Sequence, residues 1–178
     1  MPSTFVLTLT GPDRIGIVER VTGLLLARGG NVATSRMARL GGEFAVLMLV
    51  AMPEEGFAGL ERELGALAAE GFKVTTSPAR ATATGAHAGW LPFRIEVEGA
   101  DHEGIIHEVA HYLSGLGITI ESADSETTSA PVSGSPLFAM TAEVLVPPGL
   151  AGSGWESGLD AIAGRLNLEV RVTPEQRA

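Results

Sequence analysis

Two short segments of this chain hold residues whose types and spacing could do chemistry. The first is Gly11-Pro12-Asp13-Arg14-Ile15-Gly16, where two glycines bracket an acid and a base just ahead of an apolar run with helical spacing. A helix N-terminus presents unpaired N–H groups and partial positive charge. Gly16 has no Cβ, so a ligand could approach the backbone closely, and a carboxylate could be held there without any catalytic side chain. Asp13 could cap the helix or accept a hydrogen bond from a ligand amine, and Arg14 could pair with a ligand carboxylate. Plain turn and cap duty is the competing reading of Asp13 and Gly16. The second segment is His107-Glu108-Val109-Ala110-His111, a literal H-E-x-x-H. In zinc hydrolases the two histidines of such a motif ligate the metal and the glutamate is the base.

The rest of the chain offers no other catalytic set. It has no cysteine, which excludes disulfides, Cys-ligated zinc and thiol catalysis. It has one lysine, Lys73, no phosphate-binding loop of the Gly-x-x-x-x-Gly-Lys kind and no Gly-x-Ser-x-Gly elbow. No cofactor is expected. Lys and Arg total 12 against 21 Asp and Glu, for a formal net charge of −9. Residues 1–80 carry eight basic and eight acidic side chains, and residues 81–178 carry four and thirteen, so the whole excess lies in the second half. Such a chain lacks the electrostatic footprint of a phosphate-backbone reader, and direct nucleic-acid binding is not expected. The longest strongly apolar run, Phe44 to Met52, is strand length and too short for a membrane span. With no charged n-region and apolar h-region at the start, the expected location is the cytoplasm.

The elements that must position these residues occur twice. Leu9-Thr10-Gly11-Pro12-Asp13-Arg14-Ile15-Gly16-Ile17-Val18 matches Val97-Glu98-Gly99-Ala100-Asp101-His102-Glu103-Gly104-Ile105-Ile106 at an offset of 88 residues. Val21 then pairs with Val109, Leu25 with Leu113, Gly29 with Gly117 and Val32 with Ile120. Later the offset becomes 94, pairing Phe44-Ala45-Val46 with Phe138-Ala139-Met140. Six extra residues therefore fall in the second copy around Ser129–Pro136, a loop by composition. Each copy reads strand, helix, strand, strand, helix, strand. The first copy has strands at 5–10, 32–40, 43–52 and 72–76, a hairpin turn at Gly41-Gly42, and helices from Ile17 and around Leu60–Ala68. The second has strands at 91–98, 118–128, 137–146 and 167–173 and helices at 105–116 and 156–165. The fold class is α+β: two ferredoxin-like βαββαβ domains, each an antiparallel sheet with two helices on one face. The expected domains are 1–78 and 91–178, joined by a linker at 79–90. Phe44 to Val50 is apolar on both sides, which predicts that something covers the open sheet face, within or between chains.

The repeat also weighs on the H-E-x-x-H segment. It puts His107 and His111 at the places of Glu19 and Gly23, off the core face set by Val109 and Leu113. No His follows residue 111, so a third zinc ligand would have to be a carboxylate such as Glu121, Asp124 or Glu126. Helix-surface histidines are the leading reading, a weak i, i+4 metal chelate the next and a zinc hydrolase the remotest.

Asp13-x-x-Gly16-Ile17-Val18 opening a helix, followed by Gly29-Gly30-Asn31-Val32 at its end, resembles an ACT domain. The second copy has Asp101, Gly104, Ile105 and Ile106, then Gly117, Ile118, Thr119 and Ile120, with Thr119 where that family often has Asn. The phrase Ala130-Pro131-Val132-Ser133-Gly134-Ser135-Pro136-Leu137-Phe138 resembles the second ACT domain of the glycine cleavage system transcriptional repressor family. The resemblance spans nearly the whole chain. It implies a non-enzymatic regulator that holds a small amino acid, glycine or serine foremost, at domain interfaces. Gly11, Asp13, Arg14, Ile15 and Gly16 would meet Asn31 and Val32 of a neighbouring domain. Asp101, His102, Gly104, Ile105 and Thr119 would form the second site, with His102 replacing Arg14. The expected partners are that amino acid, a transcription factor or enzyme, and a second copy of the chain in a homodimer. The alternative is a protein–protein interaction module that binds no small ligand.

Overall fold

Period-two alternation builds the sheets, and period-3.6 apolar spacing lays two helices on each. The computed structural model describes residues 2–79, 87–131 and 133–175. The chain divides into two compact units, Met1–Thr82 and Ala83–Ala178. The first unit runs β1 (Pro2–Pro12), α1 (Ile17–Leu26), β2 (Asn31–Leu40), β3 (Glu43–Pro53), α2 (Glu54–Ala66) and β4 (Lys73–Pro78). The second runs β5 (Leu91–Ala100), α3 (Ile105–Gly115), β6 (Thr119–Ser129), β7 (Pro136–Val146), α4 (Glu156–Leu166) and β8 (Leu168–Pro174). Both sheets are antiparallel, ordered β2-β3-β1-β4 and β6-β7-β5-β8, so each unit is the expected βαββαβ plan. Of the expected linker, residues 80–86 lie outside the described set, and 87–89 form a turn in which the Trp90 N–H donates to His87 O at 3.1 Å.

Each core lies between its sheet and its two helices. In the first unit, Phe5, Leu7, Leu9, Val46, Met48 and Val50 face Ile17, Val21, Leu25, Leu60 and Leu64. In the second, Ile95, Val97, Met140, Ala142 and Val144 face Ile105, Val109, Leu113, Leu159 and Ile162. Each large apolar side chain buried this way contributes about 1.5–3 kcal/mol, and together they fix the strand register, since a one-residue slip would expose the whole set.

The six-residue excess falls in the β6–β7 hairpin, whose connection has six residues where β2 and β3 are joined by two. The ends of this connection are tied by the Ala130 N–H to Ser135 O at 2.8 Å and the Gly134 N–H to Ala130 O at 2.9 Å; Val132 lies outside the described residues. A second departure from the repeat was not legible in the sequence. In the first unit β3 runs straight into α2, which then tightens into a 3-10 turn at Leu67–Glu70. In the second, a 3-10 turn at Pro148–Leu150 precedes α4. The second helix of each unit is left through a left-handed residue, Gly71 (φ 91°) in one and Asn167 (φ 54°) in the other. Asn167→Val is expected to lower the stability of the second unit by about 1–2 kcal/mol, the cost of left-handed geometry for a residue with a branched Cβ. Thermal unfolding checks it, and an unchanged midpoint contradicts it.

The helix-free faces of the two sheets differ. Val46, Met48, Val50 and Met52 are buried, whereas Ala45 is exposed and Leu47 is 49 % exposed. The register places Val6 and Thr8 beside Leu49 and Leu47, an apolar centre flanked on the same face by Arg36 and Lys73. On the second sheet, Glu96, Glu98, Asp124, Glu126, Glu143 and Glu169 share the corresponding face with Arg94 and Arg171. Arg94 donates to Glu175 at 2.6 Å and lies 3.9 Å from Glu143, and Arg171 lies 3.6 Å from Glu96. The hydrogen bond and charge of Glu175 hold the Arg94 guanidinium above its ordinary pKa. The apolar open face expected from Phe44 to Val50 concerns the first sheet; the second sheet's open face is acidic. No helix among the described residues is long and apolar enough to cross a membrane.

Candidate functional site

The two strand-to-helix loops are built alike, contact by contact. Asp13 N–H donates to Gly42 O and Asp101 N–H to Pro136 O, both at 3.0 Å, tying each loop to the start of the third strand of its unit. Gly16 and Gly104 are the N-cap residues of α1 and α3, with φ of 90° and 92°, and neither helix has a side-chain cap. The capping role considered for Asp13 is therefore not the one the structure gives it. Its carboxylate accepts a hydrogen bond from Arg39 at 3.2 Å, and Asp101 accepts one from Thr127 Oγ1 at 3.4 Å. Arg39 and Thr127 are themselves 88 residues apart, so the same carboxylate-to-strand contact occurs in each repeat with a different donor. With the acid drawn aside, the first-turn amides of each helix are left without a side-chain acceptor. A carboxylate is the group such an end receives best.

The glycines divide the work. A Cβ on Gly16 or Gly104 would meet nothing within 4 Å, so space is open in front of the backbone there. Gly11, also read as a ligand contact, is a packing glycine. Its added Cβ would lie 2.5 Å from Phe72 Cδ1 and 3.0 Å from Phe72 Cα. Gly99 repeats this against Leu168, with Cδ2 at 2.6 Å and Cα at 3.2 Å.

The side chains around the loops are unlike in the two units. Arg14 lies over the Phe72 ring at 5.8 Å and 3.9 Å from Glu70, which also accepts a 2.6 Å bond from Arg20. It is therefore engaged with its own unit. His102 places its two ring nitrogens 3.2 Å from Glu103 O and Leu166 O. Ile15 stands fully exposed, and Ile105 is buried in the core, so it can offer a ligand only its backbone.

In the second unit the loop opens on a cleft that gathers Asp101, His102, Gly104 and Ile105 with Ile106, His107, Ser125, Glu126, Thr127 and Phe138. The far end of β6 was not anticipated as a lining. The signal was present in the hairpin topology, which returns the end of the second strand to the loop. Asn31 and Thr119 are at the other end. Asn31 pairs through Ala51 to Thr4, and Thr119 through Leu145 to Pro92. Eight residues of strand, about 26 Å at 3.3 Å each, separate them from the loops of their own units. Half-buried Val32 packs against the first core.

The H-E-x-x-H segment lies within α3, with its two histidines one turn apart. Glu108 is bonded to Arg165 of α4. Asp124 and Glu126 alternate onto the sheet face opposite the helices. Among the described residues no group of three His, Asp or Glu side chains is placed to hold a metal ion.

Residues 3–76 match the ACT domain family. A UPF0237 protein of Methanosarcina mazei is 35% identical over 55 residues, 31% of this chain; the chain spans 60% of that relative's length. A protein of unknown function from Galdieria sulphuraria is similar in structure, with TM-score 0.83 and 29% identity over 99% of this chain and 100% of the other. A candidate glycine cleavage system transcriptional repressor shares the fold, with TM-score 0.70 and 21% identity over 99% of each chain. The first repeat is thus similar to the ACT domain family, and the chain is a tandem pair of ferredoxin-like βαββαβ repeats of that fold.

Proposed function

We propose that this is a non-catalytic regulatory protein that senses a small amino acid at its strand-to-helix loops. The observation that carries the reading is the duplicated loop. In both units a left-handed glycine starts the helix, no side chain caps it, and the nearby acid is held aside by the second strand. A ligand carboxylate would take first-turn amides that no side chain caps, and Asn31 or Thr119 from a second copy of the chain would meet the amino group. Glycine and serine are the first candidates because the loops offer backbone rather than a deep side-chain pocket. Occupancy would shift the balance between two packings of the dimer and so alter a partner protein, a transcription factor or an enzyme, in control of glycine cleavage.

The test is calorimetric titration of the metal-free protein with each of the twenty amino acids. One or two saturable signals, with the rest silent, are expected. Silence across all twenty overturns the sensor reading. A second reading then takes its place, favoured by the acidic sheet face of the second unit: an adaptor that docks a basic protein surface.

A further inference from the structure

One motif is left unused by the amino-acid reading. His107 and His111 lie one helical turn apart on the exposed side of α3. Their rings are stacked, with centroids 5.9 Å apart and planes 16° from parallel. The core side of the helix is taken by Ile105, Val109 and Leu113, and Glu108 is held by Arg165. The two imidazoles thus share a strip of helix surface that neither the core nor the ion pair uses. Among the described residues neither ring makes a hydrogen bond, whereas both nitrogens of His102 lie beside carbonyl oxygens. The corresponding positions of α1 are Glu19 and Gly23, so the first repeat has no such pair.

We propose that His107 and His111 form a two-imidazole site for a divalent transition-metal ion, with copper(II) preferred. Imidazole nitrogens bind such ions at about 2.0–2.1 Å, and two donors in neighbouring coordination positions then lie about 3 Å apart. Exposed side chains on successive turns reach that separation by turning about χ1 and χ2, with no movement of the helix. Magnesium and calcium prefer oxygen donors, so this pair of imidazoles does not hold them. Because the protein supplies two donors, the other positions stay open to water or to a small chelating ligand. His107 also lines the cleft, which puts one edge of the pair beside it. The assignment stands independently of amino-acid binding at the loops.

The experiment is titration of the full chain with copper sulfate, nickel chloride, zinc chloride and magnesium chloride, followed by calorimetry and, for copper, by electron paramagnetic resonance. One equivalent of copper should bind with a two-nitrogen imidazole pattern. Nickel and zinc should bind more weakly, in keeping with the Irving–Williams order, and magnesium should not bind. Losing one imidazole removes an intramolecular ligation step, so His107→Ala and His111→Ala should each weaken copper binding by about 10²-fold. His87→Ala and His102→Ala should leave it unchanged. Undiminished copper affinity in either variant of the pair, or loss of binding in His102→Ala, overturns the site.

Discussion

Gly99→Val is expected to destabilise the second unit by about 3 kcal/mol or more, at the upper end of overpacking penalties. The strand β5 ends where the chain leaves α4 and enters β8, and the two backbones touch there. A Cβ at position 99 would stand 3.1 Å from Asn167 O and 3.2 Å from Leu168 Cα, besides 2.6 Å from Leu168 Cδ2. The Leu168 side chain can turn away, at the loss of its place in the core, but the backbone atoms cannot move without pulling β8 off β5. Valine adds two methyl groups to the same gap. Gly11→Val should do the same to the first unit, through Phe72 and Gly71 O at 3.1 Å. Urea unfolding followed by near-UV circular dichroism reads the effect, with Trp155 of the second core as a local reporter. A wild-type midpoint in Gly99→Val would refute the packing argument.

Gly104→Val is the contrasting case, with a small structural cost and a large functional one. The left-handed φ makes valine unfavourable by about 1–2 kcal/mol, but no atom lies within 4 Å of the new Cβ. The fold should therefore survive. The side chain would stand in front of the first-turn amides of α3. Hydrogen bonds from amides to a charged group are worth about 1.5–3 kcal/mol each, so blocking two of them should cut amino-acid affinity at that site by about 10²-fold or more. Gly16→Val should act likewise on the first site. Mixing Gly16→Val protein with Asn31→Ala protein should restore one intact first-repeat site per mixed dimer, if the loop and the strand come from different copies. Folded Gly104→Val and Gly16→Val proteins with wild-type affinity would remove the loops from consideration.

These two substitutions also mark how far the sequence could be read. Gly11, Gly16, Gly99 and Gly104 are alike in sequence, each bracketing an acid in a strand-to-helix turn. Separating them into packing and site glycines requires knowing which backbone passes close by, and that depends on Phe72 and Leu168, some 60 to 70 residues away. The element order was legible because it is written twice, and two copies in register filter out accidental periodicity. The strand and helix limits followed to within a few residues, since Gly-Gly turns and apolar periods mark them. The partners of Asp13 and Asp101 were not legible, because Arg39 and Thr127 are chemically unlike and only the repeat relates them. The lining of the cleft by Ser125 to Thr127 was hidden for a similar reason: in sequence these residues are part of an undistinguished polar strand.

The charge of the second half shows how topology converts composition into a directional property. Strand alternation gathers six carboxylates and two guanidinium groups onto one flat side of the second sheet. Two sheets stack at about 10 Å, which is also about the screening length in 0.1 M salt. Two copies of this side brought face to face would therefore repel at the distance where they would need to adhere. The first sheet, with Val6, Leu47 and Leu49 at the centre of the matching side and Arg36 and Lys73 flanking them, carries a much weaker veto. The chain thus has one sheet surface open to self-association and one that forbids it, and the forbidding surface leaves its edges and loops clear when copies meet.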